Sequence, residues 1–91
     1  MVEYGCHAMI HYYIGGSKGQ LRTWMSPTDP IFWVHHAFLD SVFHSFQLQQ
    51  PNAVYDGQAY SKRVYASDIV APFNVRVQDI WNLGSLCVSY I

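Results

Sequence analysis

The chain has 91 residues, of which 51% are apolar, 16% aromatic and only 12% charged, against roughly 25% charged in an average soluble domain. A chain this short holds one domain or part of one, and its charges are too few to coat an ordinary small globule, so further protein is expected around it. Five Lys and Arg against six Asp and Glu leave a formal charge of -1, which argues against nucleic acid or an anionic membrane as partner.

No apolar run approaches the roughly 20 residues of a membrane span. The opening residues Met1 to Gly5 lack the basic-then-apolar order of a signal peptide, so the sequence assigns no localisation. Cys6 and Cys87 lie at opposite ends, too few for a disulfide framework and without metal-finger spacing.

Residues 2–14 (VEYGCHAMIHYYI) are apolar and aromatic without proline, and Gly15-Gly16 follows. This predicts a short helix that ends in a left-handed cap. The run from Ser17 to Thr28 follows neither hydrophobic period and reads as a surface connection. Asp29 then Pro30 is an N-cap with proline at the first helical position, and a helical pattern continues until Pro51 stops it. Residues 51–66 are polar, carry Asp56-Gly57 as a turn, and are expected to be irregular. Asn74 can cap a short helix through VRVQDIW, after which Leu83-Gly84 breaks it and LCVSYI reads as a brief extended end.

All five histidines, His7, His11, His35, His36 and His44, fall on the two predicted helices. His7 and His11 are four apart, so their side chains share one helix face about 5 to 6 Å apart at Cβ, a gap two imidazole nitrogens can close onto one metal. An isolated H-x-x-x-H also fits two ordinary helix histidines. HAMIH lacks the glutamate of H-E-x-x-H, which argues against zinc-protease chemistry.

A third imidazole from the His35-His36 pair would complete a three-nitrogen set that suits copper or zinc. The helical wheel places His35 in the middle of the apolar arc of Ile31, Val34, Phe38, Leu39, Val42 and Phe46, and His36 at its edge, so periodicity marks His35 as the more buried. Asp40, four residues beyond His36, either orients a nearby imidazole or is a solvated surface carboxylate. His44 falls away from the arc and is read as a non-ligand.

The string HAMIHYYIGG, a loop, and then SPTDPIFWVHHAFLDSVF closely resemble the second copper-binding segment, copper B, of the tyrosinase family. These are the type-3 copper proteins: tyrosinases, catechol oxidases and molluscan haemocyanins. The resemblance covers His7 to about Gln47. The later segment APFNVRVQDIWNLG, from Ala71 to Gly84, is similar to the closing segment of the same core (71–91), although Ser85 stands where an aromatic is common.

The resemblance implies that His7, His11 and His36 hold the copper, with His35 a packed neighbour and Asp40 in a structural or orienting role. It implies a mainly α fold: an antiparallel helix pair forming half of a type-3 copper four-helix bundle, with an irregular C-terminal region. Residues 1–91 then form a partial copper-binding domain.

Type-3 oxidation of phenols or o-diphenols to o-quinones with dioxygen needs two coppers and six histidine ligands. With five histidines in all, the chain is expected to hold at most one copper. It would then be a fragment or remnant that needs the copper A helices of a longer chain to act on phenolic substrates. Many family members carry asparagine where this chain has Ala8, which holds a water that takes the phenol proton; a methyl group cannot, so o-diphenol oxidation is the expected activity. Cys6 is expected to be a small buried thiol and Met25 a packing residue. A haemocyanin-type oxygen-binding unit and a non-catalytic remnant are the alternative readings. Family members are often secreted or vesicular.

Overall fold

The computed structural model describes residues 3–55, 57–59 and 61–91. It divides into two compact units, Met1–Phe43 and His44–Ile91.

In the first unit, Glu3–His7 forms a π-helical turn with a kink at Gly5 (φ -91°, ψ -105°), and a regular helix, α1, then runs from Ala8 to Gly15. The single helix expected over 2–14 is therefore broken in its first turns, because glycine accepts a ψ that the helix excludes; Val2 lies outside the described residues. The cap differs too. Gly16 has the positive φ of 59° but a ψ of -163°, which is not the left-handed helical region. Its N–H donates to the Tyr12 carbonyl at 3.0 Å, and the Gly19 N–H donates to the Gly15 carbonyl at 2.8 Å.

The segment expected as a surface connection is exposed over most of its length, but it also folds back on α1. It makes two 3-10 turns, Gln20–Arg22 and Ser26–Thr28, and Leu21, at 0% exposure, is the most deeply buried described side chain. Gly15 permits this approach: a Cβ there would stand 2.8 Å from the Arg22 backbone nitrogen. The Arg22 guanidinium lies 5.1 Å over the Tyr12 ring, a cation–π contact that closes the return on its outer side.

A second helix, α2, runs from Pro30 to Gln49, as its cap predicts. The Asp29 carboxylate accepts the Ile31 N–H at 3.0 Å, satisfying one of the donors a helix start leaves open. The Gln50 N–H closes the last turn on the Phe46 carbonyl at 2.9 Å, one residue before Pro51. The apolar arc read on this helix is a surface and not a core: Val34 is 72% exposed and Phe38 64%, with Ile31, Val42 and Phe46 also exposed. Of the residues placed on that arc only His35, at 9%, is buried.

In the second unit, β1 (Gln58–Ala59) pairs antiparallel with β2 (Lys62–Arg63), and β3 (Ile69–Val70) with β4 (Val75–Arg76). Asp56 of the expected turn lies outside the described residues. The helix expected after Asn74 does not form. Asn74 takes a left-handed φ of 54° in the β3–β4 loop, and Val75 and Arg76 are drawn into the ladder opposite Val70 and Ile69, the arrangement β-branched residues favour. A 3-10 turn, Val77–Asp79, follows, its Asp79 carboxylate accepting the Arg76 N–H at 2.8 Å. Leu83–Ser85 is another such turn. The expected extended end forms no ladder, and Cys87 has a φ of 54°. A cavity of about 340 Å³ lies between Val54, Tyr55, Val77 and Trp81, and no histidine lines it.

The fold is thus mainly α, two helices with short strands and turns, and an irregular C-terminal region. No described helix is long and apolar enough to cross a membrane.

Candidate metal centre

The first unit brings four of the histidines together. His7 ends the π turn and His11 lies one turn further along α1, so the spacing of four puts both rings on one face, 5.0 Å apart at their centroids and nearly edge-on. His35 and His36 come from α2. The His7 ring lies 5.4 and 4.9 Å from those of His35 and His36, and the His11 ring lies 5.5 and 5.4 Å from the same two rings and 6.1 Å from that of Phe32.

Nε2 of His11 lies 3.2 Å from Nε2 of His7 and 3.2 Å from Nε2 of His36. Two imidazole nitrogens bound at about 2.0 Å to one tetrahedral ion stand about 3.3 Å apart. The observed separations are of that size.

The protonation of His11 follows from its other nitrogen. Nδ1 lies 2.7 Å from the Leu21 carbonyl oxygen, which can only accept, so Nδ1 carries the proton and Nε2 presents a lone pair in the neutral ring. One lone pair faces two imidazole nitrogens, which can donate to it or share a cation with it. His36 is held by Phe32, one helical turn earlier, whose ring stacks on it at 4.2 Å and 29°.

His35 is also within reach, since ring nitrogens of His7, His11 and His35 all lie within 4.8 Å of one another. Its burial agrees with the wheel. Its Nε2, however, lies 3.2 Å from the His7 carbonyl oxygen, an acceptor that commits that nitrogen to donating.

The remaining candidates fall elsewhere. His44 lies in the second unit, its ring 6.2 Å from that of Tyr90. Asp40 is on the exposed side of α2. Cys6 is exposed, which corrects the buried thiol expected from its size, and Met25 is 38% exposed. Two contributors were not read from the sequence. Phe32 could have been found from its spacing of four to His36, whereas the Leu21 carbonyl is a backbone group and carries no side-chain signal.

Paired helices that bring imidazoles together define a candidate histidine-ligated metal centre in a mainly α protein. A family profile described as the common central domain of tyrosinase matches residues 2–49. The tyrosinase of Streptomyces antibioticus is 33% identical over 69 residues, 75% of this chain and 24% of that protein. The tyrosinase of Streptomyces glaucescens is 41% identical over 49 residues, 54% of this chain and 17% of that protein. That of Gallus gallus is 49% identical over 39 residues, 43% and 7%. The chain belongs to the tyrosinase family, and it spans about a quarter or less of the length of these relatives. No solved structure matches it.

Proposed function

We propose that this chain supplies one copper-holding half of a tyrosinase-type oxidoreductase, with His7, His11 and His36 as the ligands. The observation that carries this reading is the Nε2 of His11 at 3.2 Å from both other Nε2 atoms, on the stretch that matches the tyrosinase central domain. Three imidazole nitrogens suit copper or zinc, and family membership favours copper. His36 is preferred to His35 because Nε2 of His36 faces the ligand nitrogen of His11, whereas Nε2 of His35 donates to a carbonyl oxygen and leaves only Nδ1 to reach the cluster.

When bound as a pair, copper supplies the electron transfer by which dioxygen oxidises o-diphenols to o-quinones. This chain's own residues prepare the site. The Leu21 carbonyl fixes the tautomer of His11, and the Phe32 ring fixes the plane of His36. Ala8 follows His7 and offers a methyl group where a proton-accepting water would have to be held, so o-diphenol oxidation is favoured over phenol hydroxylation. Beyond the three ligands only His35 and His44 remain, so imidazoles for a second copper come from another segment of protein.

Anaerobic titration of the chain with Cu(I) against a competing chelator tests the reading. One equivalent is expected to bind, and His7→Ala, His11→Ala and His36→Ala are each expected to lose it. Unchanged copper content in all three variants would overturn the ligand assignment.

A further inference from the structure

We infer that His35 is a positioning residue: its Nε2–H, donated to the His7 carbonyl, ties the start of α1 to α2 and sets the spacing of the ligand set. The inference rests on the copper reading above for its purpose, but the hydrogen bond stands without it. His35 is the buried member of the histidine pair, 9% exposed, among half-buried neighbours. Its Nε2 lies 3.2 Å from the His7 carbonyl oxygen. A carbonyl oxygen only accepts, so Nε2 carries the proton and is withdrawn from ligation.

The anchor is at the point of α1 that most needs one. His7 lies at the end of a π turn that already departs from helical geometry at Gly5, where the helix by itself does little to fix the backbone. The ring of His35 lies 5.4 Å from that of His7, 5.5 Å from that of His11 and 5.4 Å from that of His36. A change at this one ring therefore reaches all three ligands. The adjacent histidines divide two tasks: His36 faces the shared nitrogen and His35 holds the backbone that carries the opposite ligand. Groups that orient metal ligands typically change affinity by about 10- to 100-fold when removed.

Long-range nitrogen–proton NMR of the metal-free 91-residue chain reads the tautomer directly. A protonated Nε2 and bare Nδ1 on His35 are expected; a bare Nε2 overturns the inference. His35→Phe keeps an aromatic ring and removes the donor, while His35→Gln keeps an N–H donor at comparable reach. With Cu(I) competition and pulsed EPR of the Cu(II) form, His35→Phe is expected to keep one copper and three imidazoles while losing about 10- to 100-fold in affinity. His35→Gln is expected to recover most of that loss.

A drop to two imidazoles in His35→Phe would make His35 a ligand, and unchanged affinity would make it a bystander; either result overturns the inference. If His35→Phe does not fold, the tautomer and the His35→Gln affinity decide. Failure of the wild-type chain to bind copper would sink the function proposed above and leave the tautomer measurement to judge the hydrogen bond alone.

Discussion

Gly15→Ala sets two effects of opposite sign against each other. In an exposed helix, alanine is favoured over glycine by about 1 kcal/mol, chiefly because its stiffer unfolded chain has less entropy to lose. At Gly15 the added Cβ would instead stand 2.8 Å from the Arg22 nitrogen, 3.1 Å from the Arg22 Cβ and 3.3 Å from the Leu21 carbonyl carbon. Two of these three atoms are backbone and cannot swing aside, so the Gln20–Arg22 turn must lift off α1.

Overpacking of this kind costs about 1 to 3 kcal/mol. Loosening the fully buried Leu21 gives up part of the roughly 1.5 to 3 kcal/mol of its burial, and the His11 to Leu21 hydrogen bond is worth about 0.5 to 1.5 kcal/mol. The losses outweigh the gain, leaving a net destabilisation of about 1 to 3 kcal/mol. For a chain of this size each kcal/mol lowers Tm by about 4 to 8 °C.

The same movement withdraws the carbonyl that fixes the His11 tautomer, so Cu(I) affinity should fall about 10- to 100-fold. Thermal melts of the metal-free chain and chelator competition read the two effects separately. Gly84→Ala, with nothing within 4 Å of its added Cβ, should leave Cu(I) affinity unchanged and hold or slightly raise Tm. A Gly15→Ala chain that melts higher than wild type would refute the reasoning, since propensity would then have outweighed the clash.

Asp29→Ala removes the carboxylate that accepts the Ile31 N–H and should cost about 0.5 to 2 kcal/mol, read as a lower denaturant midpoint. Phe32→Leu keeps an apolar side chain but removes the ring stacked on His36; Cu(I) affinity should drop about tenfold with one equivalent still bound. His44→Ala, in the second unit, should leave copper stoichiometry and affinity at wild-type values; a lost equivalent would add a ligand the present reading lacks.

Local signals were strong where the chain's chemistry is local. Asp29-Pro30 and Pro51 bracket α2 because a cap and a missing N–H act within one turn. His7 and His11 share a face because helical pitch leaves them no choice. The same reasoning failed after Asn74, where Val75 and Arg76 found ladder partners in Ile69 and Val70. A local cap cannot register a strand partner several residues away.

The linear order of residues determined the two helices, the pairing of His7 with His11 and the family, all of which follow from spacing and residue type. Only the tertiary structure decided that the polar stretch after Gly16 buries Leu21, that the apolar arc of α2 is exposed while His35 is not, and that the Leu21 and His7 carbonyls orient the imidazoles. The physical reason is common to all three. Burial depends on what packs against a residue, and backbone carbonyls are present at every position, so neither is written in the identity of the side chain.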